Sequence, residues 1–387
     1  MIDQRSAQAC GGTLGLLAES RGRLGHIHED VMLLGGDELA AIARMADVVP
    51  FKRVGAPLGS AVLAWSAARR AAAGLSGGER YDLIHCWSPG ALSLATLLFR
   101  TTPRVMTLTD IPSHRVCRWL RALCAEAAGR TVLLPISATI RRELLASGID
   151  ERLVHTLRPG LTMSRIDRGA RDSLRTEWGI EPDADTRVIA LLTDPPEAGD
   201  ALEAAMIVAA TIEGASLHGH DLRLLVAPRQ HQIRRAVSLT RQRGRHDLML
   251  IDRRVELPWR VLPGCDLALA LGDRAGGMSL LWAMAAGVPI VGEATYAVSE
   301  IIEDRHSALL LKPGHRAAAA HRLRQIITDP QLAWKLRDTA RHEAYSYFSR
   351  QRYCQSLAAL YEPVAAGAEL AIPALDPAGG RRSTGRA

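Results

Sequence analysis

The stretch Gly272–Gly314, GDRAGGMSLLWAMAAGVPIVGEATYAVSEIIEDRHSALLLKPG, decides the fold. Apolar residues at helical spacing predict a helix over Met278–Ala286, with Gly276 and Gly277 before it and Gly287 after it. The β-branched run Val288–Val291 that follows is typical of a buried parallel strand. The sequence therefore predicts an α/β sheet with a glycine-flanked helix N-terminus at its edge, where backbone N–H groups can approach an anion.

The same alternation of strands and helices runs through both halves of the chain. The strands of the first half are predicted at residues 31–34, 82–88, 105–108 and 131–136, and those of the second half at residues 187–192, 222–226, 248–251 and 288–291. Helices are predicted over residues 58–73, 113–130, 201–212, 230–243, 316–328 and 331–347, with a last helix ending near Val364. Residues 1–10 are too polar to form a buried first strand.

Length and composition indicate two globular domains. A single core stops growing at about 250–300 residues, and this chain has 387. The net charge is +7, and all but three of the basic residues are arginines. An arginine surplus fits a nucleic-acid partner, an anionic membrane surface or a GC-rich genome. Because no single basic block is present, no nucleic-acid partner is expected.

Cysteine usage and hydropathy predict a cytoplasmic protein. The six cysteines include no C-x-x-C pair, which indicates reduced thiols and neither a disulfide framework nor a zinc site. No apolar run approaches the ~20 residues of a membrane span. The N-terminal residues lack the charged and apolar regions of a signal peptide.

Two segments carry a resemblance to a known family. GGMSLLWAMAAGVPIV at residues 276–291 and SEIIEDRHSALLLKPG at residues 299–314 resemble the C-terminal signature of the group 1 (family 4-type) retaining glycosyltransferases of the GT-B fold. The resemblance implies two Rossmann-like domains with parallel sheets facing across a cleft. It places an acceptor-side domain at residues 1–165, a donor-side domain at 175–345 and a crossover helix at 346–365. The Gly-, Arg- and Ser-rich tail at 372–387 is expected to be disordered.

The resemblance fails at the positions where the family binds its donor. The two glutamates of the family's Glu–seven residues–Glu motif fall on Arg274 and Trp282. The Arg and Lys that meet the donor diphosphate fall on Thr193 and Ala198. Electrostatic contacts to a transition state are each worth a few kcal/mol, so the loss of four predicts a site that is weakly active or inactive.

The full set of candidate site residues is chosen by their positions in the family's sequence pattern. The predicted donor-binding set is Gly276, Gly277, Met278, Ser279, Arg274, Trp282, Thr193 and Glu300. The helix N-terminus at residues 276–279 is either an anion site or a plain helix start that Ser279 helps to cap. His85 and Asp110 are the catalytic candidates. A strand-end histidine bonded to backbone is an equally good interpretation of His85.

The helix predicted at residues 113–130 is amphipathic and basic, with Trp119 on its apolar face. Such a helix could rest on the inner face of an anionic membrane, although packing on the sheet with solvated arginines explains the same pattern.

Three functions remain open. The first is sugar transfer from a nucleotide-sugar donor to a glycan or lipid-linked acceptor, with no cofactor and no metal. The second is a non-catalytic relative that binds a ligand or a partner transferase. The third is another enzyme on this fold, such as a nucleotide-sugar epimerase, for which only His85 and Asp110 are visible acid–base candidates.

Overall fold

The protein is described from a computed structural model. The structure describes the following residues: 2–3, 20, 23–24, 27–34, 40, 43–44, 48, 51–54, 81–126, 130–181, 184–192, 200–212, 221–228, 231–272 and 277–367. The predicted helix at residues 58–73 and the predicted disordered tail lie outside them.

Two sets of parallel strands form the first half. One sheet has the order β1 (Ile2–Asp3), β2 (Met32–Leu34) and β3 (Lys52–Val54). The other has the order β4 (Ile84–Cys86), β5 (Arg104–Leu108) and β6 (Thr131–Pro135). The strand β1 is a departure from the prediction for residues 1–10, because Ile2 pairs with Leu33 despite the polar sequence around it. A strand this short needs only two paired residues, so the polarity of its neighbours does not prevent it.

A single six-stranded parallel sheet forms the second half. Its strands are β7 (Thr186–Leu192), β8 (Asp221–Val226), β9 (Met249–Ile251), β10 (Leu267–Ala270), β11 (Ile290–Glu293) and β12 (Leu309–Leu311), in the spatial order β12-β11-β10-β7-β8-β9. Alternate residues of β7 enter opposite cores: Val188 packs in one and Ile189 in the other. Burial on both faces explains why the central strands are continuous apolar runs.

Helices cover these sheets. In the first half they are α1 (Pro89–Leu98), α2 (His114–Glu126) and α3 (Ala138–Ala146). Those of the second half are α4 (Arg171–Glu177), α5 (Ala201–Ile212), α6 (Ile233–Gln242), α7 (Gly277–Ala286), α8 (Tyr296–Ser299), α9 (Arg316–Thr328), α10 (Pro330–Tyr347) and α11 (Arg350–Ala365). The predicted helix at residues 201–212 matches α5, and most other predicted ends fall within a few residues of the observed ones.

The last helix packs against the first half of the chain. The Leu161 N–H donates to the Phe348 carbonyl at 2.8 Å, just before α11 begins. A Cβ on Gly160 would lie 2.5 Å from Tyr353 Cβ and 2.8 Å from Arg350 Cα. Only glycine allows the backbone at residue 160 to lie this close to α11, so the packing of α11 requires glycine at this position.

Candidate functional site

The carboxyl ends of the second sheet carry the helix that opened the sequence analysis. All its strands are parallel, so their carboxyl ends share one edge. Strand β10 ends at Ala270, and α7 begins at Gly277 with a φ of +66°. This conformation favours glycine. The geometry of a helix supplies no acceptors for its first N–H groups, which point out from its N-terminus. The helix N-terminus therefore lies at the edge where α/β sheets bind ligands.

A buried carboxylate ties together the loops at this edge. Glu293 is 7% exposed and ends β11. Its Oε2 accepts a hydrogen bond from the Gly272 N–H at 2.5 Å, and its Oε1 accepts one from the Gly314 N–H at 2.8 Å. Both glycines have positive φ values, +86° and +79°. Glu293 thus holds the turns after β10 and β12, and the sequence analysis did not identify it. The sequence feature that could have identified Glu293 is a single acidic residue directly after the apolar run of residues 288–292.

Most of the predicted donor-binding residues on α7 are buried. Met278 is 1% exposed, Ser279 is 5% exposed and Trp282 is fully buried. Gly277 is only half-buried. Of these four residues, Gly277 is therefore the one that offers appreciable surface to a ligand, through its backbone.

Trp282 belongs to an aromatic pair in the core. Its ring centroid lies 4.9 Å from that of Trp259, and the Arg165 guanidinium lies 5.7 Å from the centroid of Trp259. The Trp282 Nε1–H is buried and has no hydrogen-bond acceptor among the described residues. An indole at this position cannot accept hydrogen bonds from sugar hydroxyls as a carboxylate does.

Glu300 is directed toward the other half of the chain. Its carboxylate accepts hydrogen bonds from the Ala138 N–H at 2.6 Å, from the Thr139 N–H at 3.0 Å and from the Thr139 hydroxyl at 2.9 Å. These groups form the N-terminus of α3, where a negative charge is favourable. Ser137 caps the same helix through the Ile140 N–H. In this arrangement the Glu300 carboxylate joins the two halves of the molecule.

His85 lies where the first half meets α11. Its Nδ1 shares a hydrogen bond with the Tyr361 hydroxyl, and its Nε2 shares one with the Thr107 hydroxyl at 2.8 Å. The ring stacks on Trp87 with centroids 4.4 Å apart. Burial lowers the pKa of His85 well below its ordinary value, so the imidazole is neutral at pH 7. Both ring nitrogens are engaged with side chains, which corrects the alternative interpretation of a histidine bonded to backbone.

Of the other predicted residues, the structure describes only Asp110. Asp110 is half-buried just after β5, beside the same strand that carries Thr107. Thr193, Arg274 and Gly276 lie outside the described residues, so their roles stay predictions. Within the described ranges, no group of three or more His, Cys, Asp or Glu side chains is arranged to hold a metal ion.

The amphipathic helix α2 uses its apolar face for packing. Its buried residues are Cys117, Leu120, Leu123 and Cys124. Trp119 packs against the same core, while the arginines at 115, 118 and 121 lie at the surface or at its margin. Membrane contact through residues 113–130 therefore stays a prediction that rests on these arginines. No helix in the described part of the chain has the length and apolar character needed to cross a bilayer.

Comparison with known proteins places this geometry in context. Residues 219–343 match the family model of the glycosyl transferases group 1. A segment of 97 residues is 35% identical to the putative glycosyltransferase EpsD of Bacillus subtilis, and one of 100 residues is 28% identical to the N-acetyl-alpha-D-glucosaminyl L-malate synthase of Bacillus anthracis. These segments span 25% and 26% of this chain and the same shares of the two relatives.

The likeness of structure extends over nearly the whole chain. HepE of Anabaena, solved in complex with UDP and glucose, superposes with a TM-score of 0.74 at 17% identity, covering 93% of this chain and 98% of HepE. WaaG, a glycosyltransferase involved in lipopolysaccharide biosynthesis, superposes with a TM-score of 0.61 at 15% identity, covering 93% of this chain and 99% of WaaG. The predicted GT-B architecture, two α/β domains with parallel sheets, is confirmed. Residues 219–343 thus carry the pattern of the group 1 glycosyl transferases, on a chain with the GT-B fold.

Proposed function

We propose that this protein is a group 1 glycosyltransferase that binds a nucleotide-sugar donor at the carboxyl edge of the second sheet. The observation that carries the proposal is the N-terminus of α7 at Gly277, inside the segment that matches the family. A helix N-terminus behaves as roughly half a positive charge and presents N–H groups to a diphosphate. Glu293 supports the proposal because it fixes the turns on both sides of this position.

The first donors to test are uridine nucleotides. HepE was solved with UDP and glucose and also with UDP-glucose. The acceptor is a glycan or a lipid-linked sugar by resemblance alone. Transfer breaks the bond between the sugar and the diphosphate, so negative charge grows on the leaving UDP. The amides at the start of α7 would stabilise that charge.

A second candidate is a non-catalytic relative that binds a ligand or a partner transferase. Burial of Trp282 favours it, because the residue that the resemblance places at a glutamate of the family's motif is an indole enclosed by the core. On this alternative the fold persists and the contacts that activate the donor are gone. The two candidates differ in catalysis, so binding and turnover must be measured separately.

Thermal unfolding with a panel of nucleoside diphosphates and their sugars tests donor binding. A ligand at about a hundredfold excess over Kd adds about 2.7 kcal/mol to the free energy of unfolding. We expect a rise in Tm with UDP or UDP-glucose. The variant Gly277→Val, which adds a side chain at a positive φ beside the anion, should abolish the rise. Gly244→Val is the matched control, because Gly244 has a φ of +71° and open space around it.

Turnover is measured with radiolabelled UDP-glucose, as transfer to acceptors and as slow hydrolysis to glucose. Binding with turnover supports the transferase and would allow the anomer of the product to show whether transfer is retaining. Binding without turnover selects the non-catalytic relative. No Tm shift with any donor contradicts the proposed donor site.

A further inference from the structure

A second concave site lies at the opposite edge of the same sheet. It is a cavity of about 590 Å³ at the start of β10 and beyond the end of α7, where Leu267 and Gly287 line it. The N-terminus of α7 is at the other end of that helix, so this cavity is separate from the proposed donor site. Its volume falls within the ~300–1,000 Å³ of ordinary ligand sites.

The lining of the cavity combines apolar and basic residues. The apolar residues include Leu262, Pro263, Val288, Pro289 and Ile326. The lining also contains four arginines and one acid, a net charge of +3; they are Arg168, Arg171, Arg187, Arg337 and Asp266. Apolar residues together with cationic ones suit a ligand that has both an anionic group and an apolar part.

Two of the arginines form ion pairs within the protein and two are available to a ligand. Arg171 donates to Asp266 at 2.6 Å, and Arg187 lies 3.2 Å from Asp185. Arg168 has a long contact of 3.5 Å with the Tyr345 hydroxyl. Arg337 is exposed and forms no ion pair with any described residue. A phosphate group could therefore pair with Arg337 and Arg168 without displacing an internal acid.

Aromatic and basic side chains continue from the cavity along one face of α10, whose Trp334 and Arg337 line the cavity. Trp334, Arg337, Arg341 and Tyr345 are spaced by three or four residues, so they lie along one side of the helix. Trp334 is 57% exposed and Tyr345 is 40% exposed. The Arg341 guanidinium lies 5.5 Å from the centroid of Tyr345. Asp338, four residues after Trp334 and three before Arg341, is an exposed acid on the same side of the helix.

Exposed tryptophan next to arginine is the chemistry of the membrane–water interface, where the indole lies among headgroups and guanidinium groups pair with phosphates. Inorganic phosphate or glycerol phosphate would use the arginines alone, whereas a lipid at the interface would also contact Trp334 at the rim. We infer that this cavity binds the phosphate headgroup of an anionic membrane lipid, with the start of α10 against the bilayer. The net charge of +7 on the whole chain favours the approach to such a surface.

Cosedimentation of the full chain with vesicles tests the inference. Phosphatidylcholine vesicles are compared with vesicles that also contain phosphatidylglycerol. We expect binding only to the anionic vesicles. Arg337→Glu should weaken it about tenfold or more, because each basic residue near an anionic bilayer changes affinity by roughly fivefold. Trp334→Ala should also weaken vesicle binding, although it leaves the net charge of the protein unchanged. Both side chains are exposed, so equal Tm values without vesicles will verify that the variants fold.

Two control variants distinguish binding at this cavity from non-specific electrostatic attraction to anionic vesicles. Arg234→Glu makes the same charge change on an exposed position of α6, outside the cavity, and should leave affinity within about twofold. Arg118→Glu makes the same charge change on α2, the helix that the sequence analysis considered for membrane contact. Three results would each overturn the inference. Vesicle affinity could fall equally in all the charge variants, it could fall only in Arg118→Glu, or the protein could fail to bind vesicles at all. Glycerol phosphate is the soluble probe, and binding of it as tight as that of vesicles would assign the cavity to a free phosphate instead.

Discussion

The Glu300 carboxylate and Thr139, 161 residues apart in sequence, are joined by two hydrogen bonds, one to the Thr139 N–H and one to its hydroxyl. Glu300 lies just after α8 in the second half, and Thr139 is in the first turn of α3 in the first half. One side chain therefore caps a helix of the other domain. In the resemblance the same glutamate belongs to the donor-side signature, so the contact connects the candidate donor site to the position of the first domain.

Glu300→Gln should lower the free energy of unfolding by about 0.5–2 kcal/mol, the range for a lost helix cap, because the amide brings no charge to the N-terminus of α3. Urea unfolding monitored by circular dichroism measures the change. Glu181→Gln, at an exposed glutamate, is the control and should change stability by less than about 0.5 kcal/mol. Equal stability of the two variants would show that the contact between domains contributes nothing.

Replacing Glu293 should loosen the edge of the sheet. Glu293→Gln keeps the size of the side chain but replaces one acceptor oxygen by an NH2 group. One of the Gly272 and Gly314 N–H groups then loses its partner, at a cost of about 1–3 kcal/mol. Unfolding in urea measures the loss, and any Tm rise caused by UDP should shrink with it. The exposed Glu126→Gln is the matched control. If the free energy of unfolding were unchanged in Glu293→Gln, Glu293 would not hold the turns after β10 and β12.

Stability should fall at acidic pH because of His85. Burial lowers its pKa well below 6.5, so below about pH 6.5 the unfolded chain binds a proton that the folded chain does not. The free energy of unfolding therefore decreases as the pH falls, by up to about 1.4 kcal/mol per pH unit from this group. Burial also lowers the pKa of His155, which adds a contribution of the same sign.

Comparison of the parent with His85→Gln between pH 7 and pH 5 isolates the contribution of His85. The variant should be less stable at pH 7, since it disturbs the hydrogen bonds to Thr107 and Tyr361, and its stability should depend less steeply on pH. The same slope in both proteins would mean that folded His85 binds a proton as readily as the unfolded chain does, which would contradict the lowered pKa. Exposed His246→Gln serves as control.

The indole nitrogen of Trp282 should be dispensable for stability. Trp282→Phe removes a buried N–H that has no acceptor, and this gain offsets part of the lost ring volume. We expect a change within about 1.5 kcal/mol, against about 3–5 kcal/mol for Trp282→Ala, which leaves a cavity beside Trp259. Urea unfolding of both variants gives the comparison. A loss as large in Trp282→Phe as in Trp282→Ala would show that the N–H has a partner.

Thiol reactivity should be low in the folded protein. The five described cysteines are all buried. Burial raises the pKa of Cys86 to about 11 and that of Cys124 to about 11, so about a thousandth of each thiol is ionised at pH 8. A disulfide reagent should therefore modify at most one of the six thiols rapidly, that of Cys10, and all six after denaturation. Rapid reaction of two or more would contradict the packing.

The sequence by itself determined the class of fold, its alternation of strands and helices and the helix that begins at Gly277. These features depend on local periodicity and on glycines beside a helix, which act within a few residues of each other. The resemblance also predicts that Trp282 stands where the family has a glutamate. The tertiary structure alone decided that Glu300 caps α3, that His85 bonds to Tyr361 and that arginines from α4 and α10 line one cavity. Each of these contacts joins residues that are far apart in the chain. Their partners depend on how the sheets and α11 pack together, which no local pattern records.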